Sequence, residues 1–410
     1  MQSDKCTTKL RSGLFGVLLE EFINDYKTIG YSDLTLEGYI GSISHFEWWL
    51  NQKGVSIETI NEQVLVLFEN HRCTCPHTNN NHSRVTQSVF RRVKRFVDYL
   101  QKREIIKTIA SVVDEIPYPE VSNFREWLLQ SRGLSMKTIE RYERLINRLL
   151  PKLGFDTSKY TAQMIREIVI KEVNECSRAQ AKTIVTAFRS YLRFLASEGR
   201  SSPFLMNAVP TIPEWRLSSM PRYLDEDEIK RVIDACDLNT KQGIRDRAIL
   251  LLLSRLGLRA GDVFSLRLED LDWSMGIIRV YGKSRSEVLL PLPQDVGDAI
   301  LLYLEKARPL VTIDKVFLCL NAPYRSLGTS SLVSCIVSSA LRRAGIENPP
   351  SRGAHLLRHS AATMMLRSGS SLETISAILR HRSVDMTGYY AKVDFNMLRK
   401  IAQPWPGERQ

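Results

Sequence analysis

Six polar side chains in the second half of the chain sit where packing alone would not ask for them. Arg259 follows Leu256-Gly257-Leu258 at the end of an apolar helix. Lys283 tops a predicted hairpin. His355 and Arg358 are three apart on one helix and so face the same side. His381 follows the next helix, and Tyr390 comes nine residues later. Two guanidinium forks can hold the oxygens of a phosphate and the charge that builds on them. An ammonium or imidazole can move protons to and from attacking and leaving oxygens. A phenol oxygen can attack and form a covalent link, which splits a transfer into two steps. The six together make a kit for phosphodiester chemistry.

Taken one at a time, each has an ordinary reading. Arg259 could be a surface cation at a helix end and Lys283 a solvated turn lysine. His355 and His381 could cap helices or pack in a core. Tyr390 could be a packed aromatic, and Tyr389 beside it dilutes the signal.

The elements that would position these groups are legible. Helical spacing predicts helices over 244–256, 294–304, 330–344, 355–368 and 372–379. Gly276 to Tyr281 and Glu287 to Leu292 read as strands, with Gly282-Lys283-Ser284-Arg285-Ser286 as a turn of hairpin length. Asp225-Glu226-Asp227-Glu228 before Ile229, Val232 and Ile233 marks a helix start. The second half is therefore mostly helical with a small antiparallel sheet.

The first half reads as wholly helical, and it repeats. Ser32-x-x-Thr35-x-x-x-Tyr39 recurs as Ser135-x-x-Thr138-x-x-x-Tyr142. Phe46 and Leu50 stand at the same offset from Leu149 and Leu153. Phe96-x-x-Tyr99-Leu100 recurs as Tyr191-x-x-Phe194-Leu195. Duplication of one helical bundle competes with two unrelated bundles that share common helix grammar. On the last helix of the first copy, Arg91, Arg95 and Lys102 fall near one another, opposite Val89, Val93, Phe96 and Leu100. That pattern fits phosphate contact or a solvated charged face. Pro203, Pro210, Pro213 and Pro221 punctuate a segment without helical period, read as a linker over 201–221.

Composition narrows the class. The chain has 410 residues, 43% of them apolar and 25% charged, as in an ordinary globular protein. No apolar run reaches the roughly 18 residues that span a bilayer, and Met1-Gln2-Ser3-Asp4-Lys5-Cys6 has no leader-type apolar segment. The net charge of +12 suits a polyanionic partner. Seven scattered cysteines are not a disulfide framework, so a reducing, cytoplasmic setting is expected. One cluster stands apart: His71-x-Cys73-x-Cys75-x-His77, with His82 nearby. Thiolates and imidazoles suit Zn²⁺, but the Cys-x-Cys step is tight for zinc and Asn79-Asn80-Asn81 reads as a loop. A structural zinc and a reduced, metal-free loop both remain open.

Residues 222–393 resemble the catalytic domain of the tyrosine recombinase, or phage integrase, family. Gly257-Leu258-Arg259-Ala260-Gly261-Asp262-Val263, then Leu266-x-Leu268-x-Asp270-Leu271-Asp272, resembles the family's first box. Gly282-Lys283 with Leu290-Pro291-Leu292 resembles its lysine hairpin. His355-Leu356-Leu357-Arg358-His359 matches its H-x-L-R-H motif. Leu379-Arg380-His381-Arg382-Ser383 resembles L-G-H-x-S, and Tyr390-Ala391-Lys392-Val393 resembles the nucleophile segment. One departure is Arg380, where the family usually has glycine; the arginine alters the left-handed turn or adds a phosphate contact.

The resemblance implies that Tyr390 is the nucleophile and that Arg259 and Arg358 bind the scissile phosphate. It implies Asp262 as a support for Arg259, Lys283 as the general acid, and His355 and His381 as groups that position the phosphate and assist proton transfer. Residues 111–200 are similar to the family's core-binding (SAM-like) helical domain, with 1–110 as an added helical domain and 222–410 as the catalytic domain with a C-terminal docking tail. The partner implied is double-stranded DNA, clamped and then paired in a synaptic tetramer, by this protein alone or with related recombinases. The reaction implied is site-specific strand exchange through 3′-phosphotyrosyl links, with no metal or other cofactor, on the nucleoid. A type IB-like topoisomerase and a non-catalytic DNA-binding protein are the competing readings. Phe395, Met397, Leu398 and Ile401 after the nucleophile favour the recombinase, since they could dock on a neighbouring protomer.

Overall fold

The computed structural model describes residues 16–72, 85–106, 118–213, 220–281, 287–381, 383 and 385–393. The chain divides into two compact units: Ile109–Arg216 form one, and Met1–Thr108 with Leu217–Gln410 form the other.

Hydroxyl caps start the long helices of both helical segments. The first segment holds α1 (Gly16–Thr28), α2 (Asp33–Lys53), α3 (Glu62–Asn70) and α4 (Gln87–Lys102). The unit 109–216 holds α5 (Pro119–Arg132), α6 (Met136–Leu153), α7 (Ala162–Asn174) and α8 (Arg178–Ser197). Ser32 precedes α2 with its Oγ 2.9 Å from Thr35 Oγ1, and Ser135 precedes α6 with its Oγ 2.9 Å from Thr138 Oγ1. Each segment then inserts a 3₁₀ turn, Ile57–Thr59 or Thr157–Lys159, before its third helix. Tyr39, Phe46 and Leu50 are buried, as are Tyr142, Leu149 and Leu153. Phe96 and Leu100 of α4 are buried, as are Tyr191 and Leu195 of α8. The repeated letters are thus the packed stripes of two bundles with one element order. In the unit 109–216, a 3₁₀ turn at Pro203–Ala208 adds Ala208 and Val209 to the core, and Arg189 donates to the Val209 carbonyl at 2.8 Å.

Several cations on or just after α4 are engaged by protein groups. Arg92 donates to the Gly38 carbonyl at 3.2 Å, Arg95 to the Tyr39 hydroxyl at 2.5 Å, and Arg103 to Glu21 and Asp25. Arg91, Lys94, Arg95, Lys102 and Arg103 are exposed, and Arg92 is half-buried.

The remaining segment begins with a reciprocal cap: Glu228 N–H donates to Asp225, and Asp225 N–H to Glu228. It opens α9 (Glu226–Asp234), followed by α10 (Lys241–Arg255). Helix α10 buries Ile244 and the run Ala248 to Leu253 on every side, so it is the axis of the core and not an amphipathic surface helix. Around it lie α11 (Ala260–Ser265), β1 (Leu271–Asp272), β2 (Ile277–Tyr281), β3 (Glu287–Pro291), α12 (Gln294–Lys306), α13 (Ser330–Arg343), α14 (Ala354–Arg367), α15 (Leu372–Leu379) and α16 (Asp385–Gly388). The sheet is antiparallel in the order β1-β2-β3, with Ile278 opposite both Leu271 and Leu290. Alternation in β2 turns Ile278 and Val280 into the core.

The fold is the mainly helical class with a small antiparallel sheet that the sequence predicts. Strand β1 was not foreseen, because two residues cannot display a period of two. Among the described residues no helix is long and apolar enough to cross a membrane.

Candidate active site

The site forms where α10 and α15 end against α14. Gly257, just past α10, adopts φ +58°. A Cβ there would come within 2.6 Å of the Leu379 side chain, so both the backbone angle and the close approach call for glycine. Between these two helix ends stands Arg358 of α14, 4% exposed. Its Nη1 donates to the Gly257 carbonyl and its Nη2 to the Leu379 carbonyl. One fork therefore ties together three motifs distant in sequence, and part of its donor set is left for a ligand. Burial pushes the Arg358 guanidinium down to about 10; nearby Arg259 adds to this, while Tyr390 opposes it.

Arg259 is the residue before α11. Its main-chain N–H donates to Asp262 Oδ2 at 2.8 Å, and its Nη2 donates to the Arg380 carbonyl at 2.9 Å. Arg380 closes α15 in the left-handed region, φ 53° and ψ 52°. The arginine thus keeps the turn that a glycine would make. Its Nη2 pairs with the same Oδ2 of Asp262. Asp262 accordingly holds the main chain of Arg259 and the side chain of Arg380. Desolvation, then the charge of Arg380, lowers the Arg259 guanidinium, while Asp262 raises it.

Tyr390 lies in the 3₁₀ turn Tyr389–Val393 and is 2% exposed. Its hydroxyl is 2.6 Å from His359 Nδ1. Its ring is parallel to that of His381 within 6°, centroids 6.4 Å apart. His381 Nδ1 in turn meets the hydroxyl of fully buried Thr387 at 2.8 Å. Tyr389 points its hydroxyl elsewhere, to the Met220 carbonyl at 2.7 Å. Burial raises the Tyr390 phenol to about 12; Arg358 pulls it back and Tyr389 adds to the rise. Burial lowers His359 to about 4, helped by His355 and Arg358. It lowers His381 to about 4 as well, helped by Arg358, Arg259 and His359. His355 is more open to solvent. Surrounding protein, then the charges of Arg358 and Arg259, lower it too. Neutral imidazoles, a protonated phenol and fixed cations follow near pH 7.

Of the six residues singled out in the sequence, Arg259, His355, Arg358, His381 and Tyr390 gather at this place. Lys283 lies outside the described residues, which include Tyr281 and Glu287 at the hairpin's strand ends. Residues 394–410, with the apolar residues of the tail, also lie outside them. Sequence reasoning assigned no role to His359, although its position four after His355 put it on the same helix face. Cys73, Cys75, His77 and His82 are likewise outside the described residues. His71 is described: its Nδ1 is 2.6 Å from the Phe68 carbonyl. Among the described residues no group of three or more His, Cys, Asp or Glu could hold a metal ion.

Comparisons with known proteins place these features. Residues 222–397 match the phage integrase family. A putative integrase/recombinase, y4rA, from Sinorhizobium fredii is 36% identical over 389 residues, covering 93% of this chain and 92% of that one. The tyrosine recombinase XerD of Listeria monocytogenes is 27% identical over 290 residues, covering 68% of this chain and 96% of its own. Among solved structures, the XerH site-specific recombinase bound to a palindromic difH substrate, in a post-cleavage complex, aligns with a TM-score of 0.55 at 19% identity. That alignment covers 70% of this chain and 85% of the other.

Proposed function

The chain belongs to the phage integrase family, the tyrosine recombinases that break and rejoin DNA strands, and from that premise we propose that Tyr390 is its nucleophile. The observation that carries this reading is the Tyr390 hydroxyl, held 2.6 Å from a neutral imidazole inside a cluster of arginines. Arg259 and Arg358 bind the scissile phosphate of duplex DNA. Tyr390 Oη attacks phosphorus; the Oη–P bond forms as the bond to the leaving 5′-oxygen breaks. His359 takes the phenolic proton, and Lys283 supplies one to the 5′-oxygen. His355 and His381 position the phosphate and assist proton transfer. The 3′-phosphotyrosyl link stores the bond energy until the 5′-hydroxyl of a partner strand attacks it, which returns Tyr390 and completes exchange. No step requires a metal or cofactor.

Residues 111–200 are read as the core-binding domain and 1–110 as an added DNA-contacting domain. The working assembly is a tetramer that pairs two sites, and its setting is the cytoplasm, on the nucleoid. XerH supports the site-specific character, because its name states it of a protein that shares this fold.

The test is to map covalent protein–DNA junctions in cells that express the chain. Junctions at defined sites with a free 5′-hydroxyl, absent with Tyr390→Phe, are expected. Junctions scattered without sequence preference, with relaxation of supercoils and no exchange, would replace this reading with a topoisomerase.

A further inference from the structure

Arg380 sits where the backbone favours glycine, at φ 53°. A non-glycine residue there is strained, so a side-chain benefit should offset the strain. Its side chain is 6% exposed. One nitrogen, Nη2, pairs with Asp262. Nε and Nη1 are buried, and neither finds an acceptor among the described residues. Buried donors without acceptors are unfavourable, and more so on a cation. The guanidinium is also crowded by its own kind, since its charge acts on both Arg259 and Arg358.

Charge balance says what the cluster lacks. Among the described residues, Arg259, Arg358 and Arg380 face a single carboxylate, Asp262. Within this described set two positive charges are in excess. A phosphodiester brings one negative charge and gains a second as the entering oxygen adds to phosphorus, so the excess matches the charge of the transition state.

We propose that Arg380 is a third phosphate-binding guanidinium, steadied by Asp262 through Nη2 while Nε and Nη1 serve the scissile phosphate. This rests on the reading of Tyr390 as nucleophile. Because Arg259 Nη2 bonds the Arg380 carbonyl, the two arginines are also fixed relative to each other.

The experiment uses the full chain on a nicked duplex that carries the mapped junction. A second duplex replaces the scissile phosphate by a methylphosphonate, which removes one charged oxygen. Arg380→Gly keeps the turn, and Arg380→Gln keeps most of the side chain without its charge; melting curves establish that both fold. Both should slow covalent linkage on the order of 100-fold on the phosphate, and by no more than a few-fold on the methylphosphonate. An unchanged rate on the phosphate would overturn the proposal. So would an equal loss on both duplexes, which would make Arg380 a structural prop for Asp262. Absence of any linkage by the unaltered chain would indict Tyr390 instead. The phosphate contact would then be read from binding in the Tyr390→Phe chain. There Arg380→Gly should lower affinity for the phosphate duplex and leave the methylphosphonate duplex nearly unaffected; equal affinity losses would overturn it.

Discussion

The Tyr390 hydroxyl and His359 Nδ1 stand 2.6 Å apart, the phenol raised to about 12 and the imidazole lowered to about 4. At neutral pH neither carries charge. On the proposed reading, in which this buried phenol is the nucleophile, a neutral imidazole nitrogen is already within reach of its proton. His359→Ala should slow covalent linkage by about 10²- to 10⁴-fold. The loss should shrink by about tenfold per pH unit as pH rises toward the phenol's pKa, because bulk hydroxide then removes the proton. His359→Asn retains an acceptor but not a base and should show the same pH dependence. Single-turnover rates across pH 6–10 check this; a parallel, pH-independent loss would reduce His359 to a packing role.

Tyr390→Phe should form no covalent adduct, while Tyr389→Phe should retain most of the activity. The Tyr389 hydroxyl is engaged with the Met220 carbonyl, away from the imidazoles. Trapping on nicked duplexes followed by denaturing gels separates the two. If Tyr389→Phe alone abolishes the adduct, the register is wrong by one residue.

The depressed histidines also set an acid limit. For His359 and His381 the folded pKa, about 4, lies below the ordinary value near 6.5. The unfolded chain therefore binds more protons between those values. Their contribution to stability is complete above about pH 6.5 and is lost as pH falls toward 4. Melting temperature should drop across that window, and the double variant His359→Asn, His381→Asn should flatten the drop. An equally steep drop in the double variant would place the acid sensitivity elsewhere.

Arg358→Lys removes the planar fork whose two separate nitrogens hold the Gly257 and Leu379 carbonyls, and is expected to leave at least one of them unsatisfied. An unsatisfied buried carbonyl costs about 1–3 kcal/mol, and that loss should appear in urea unfolding in the absence of DNA. A stability equal to that of the unaltered chain would show that the two helix ends hold together without the fork.

Replacing exposed Arg91, Lys94 and Lys102 by glutamine should flatten the salt dependence of binding to long DNA, by up to about 0.9 in log–log slope per lost phosphate contact. Linkage on a short duplex should be unchanged. Replacing Arg92 or Arg95 should instead lower stability, since both bind protein groups. An unaltered salt slope in the triple variant would make the first bundle a protein-contact module.

What the sequence disclosed follows from the range of the interactions. Helices, caps and the hairpin depend on residues a few positions apart, so Ser32, Ser135 and Asp225 announced their helices. The candidate site was legible because Arg259, His355, Arg358, His381 and Tyr390 keep recognisable neighbours, and the structure brings the five together. Direction of side chains was less legible. Arg95 reads as part of an outward basic face and is exposed, but its fork also reaches Tyr39, which is 56 positions away. Asp262 reads as a support for Arg259, but its bond to Arg380 spans 118 positions and no local rule announces it. His359 escaped notice for a related reason: spacing gives the helix face, not the partner that arrives from another element.

The fork of Arg358 has a consequence for how such chains can grow. It joins carbonyls that are 101 residues before it and 21 after it. The fork depends on where those helix ends stand in space, not on how much chain runs between them. Lengthening a flexible connection costs little, about 0.6 kcal/mol per doubling of its length. Glu347 and Asn348, exposed between α13 and α14, lie within the longer of these two stretches. A foreign segment grafted there would leave both carbonyls in place, so this loop is a natural port for carrying cargo or a reporter on a working enzyme.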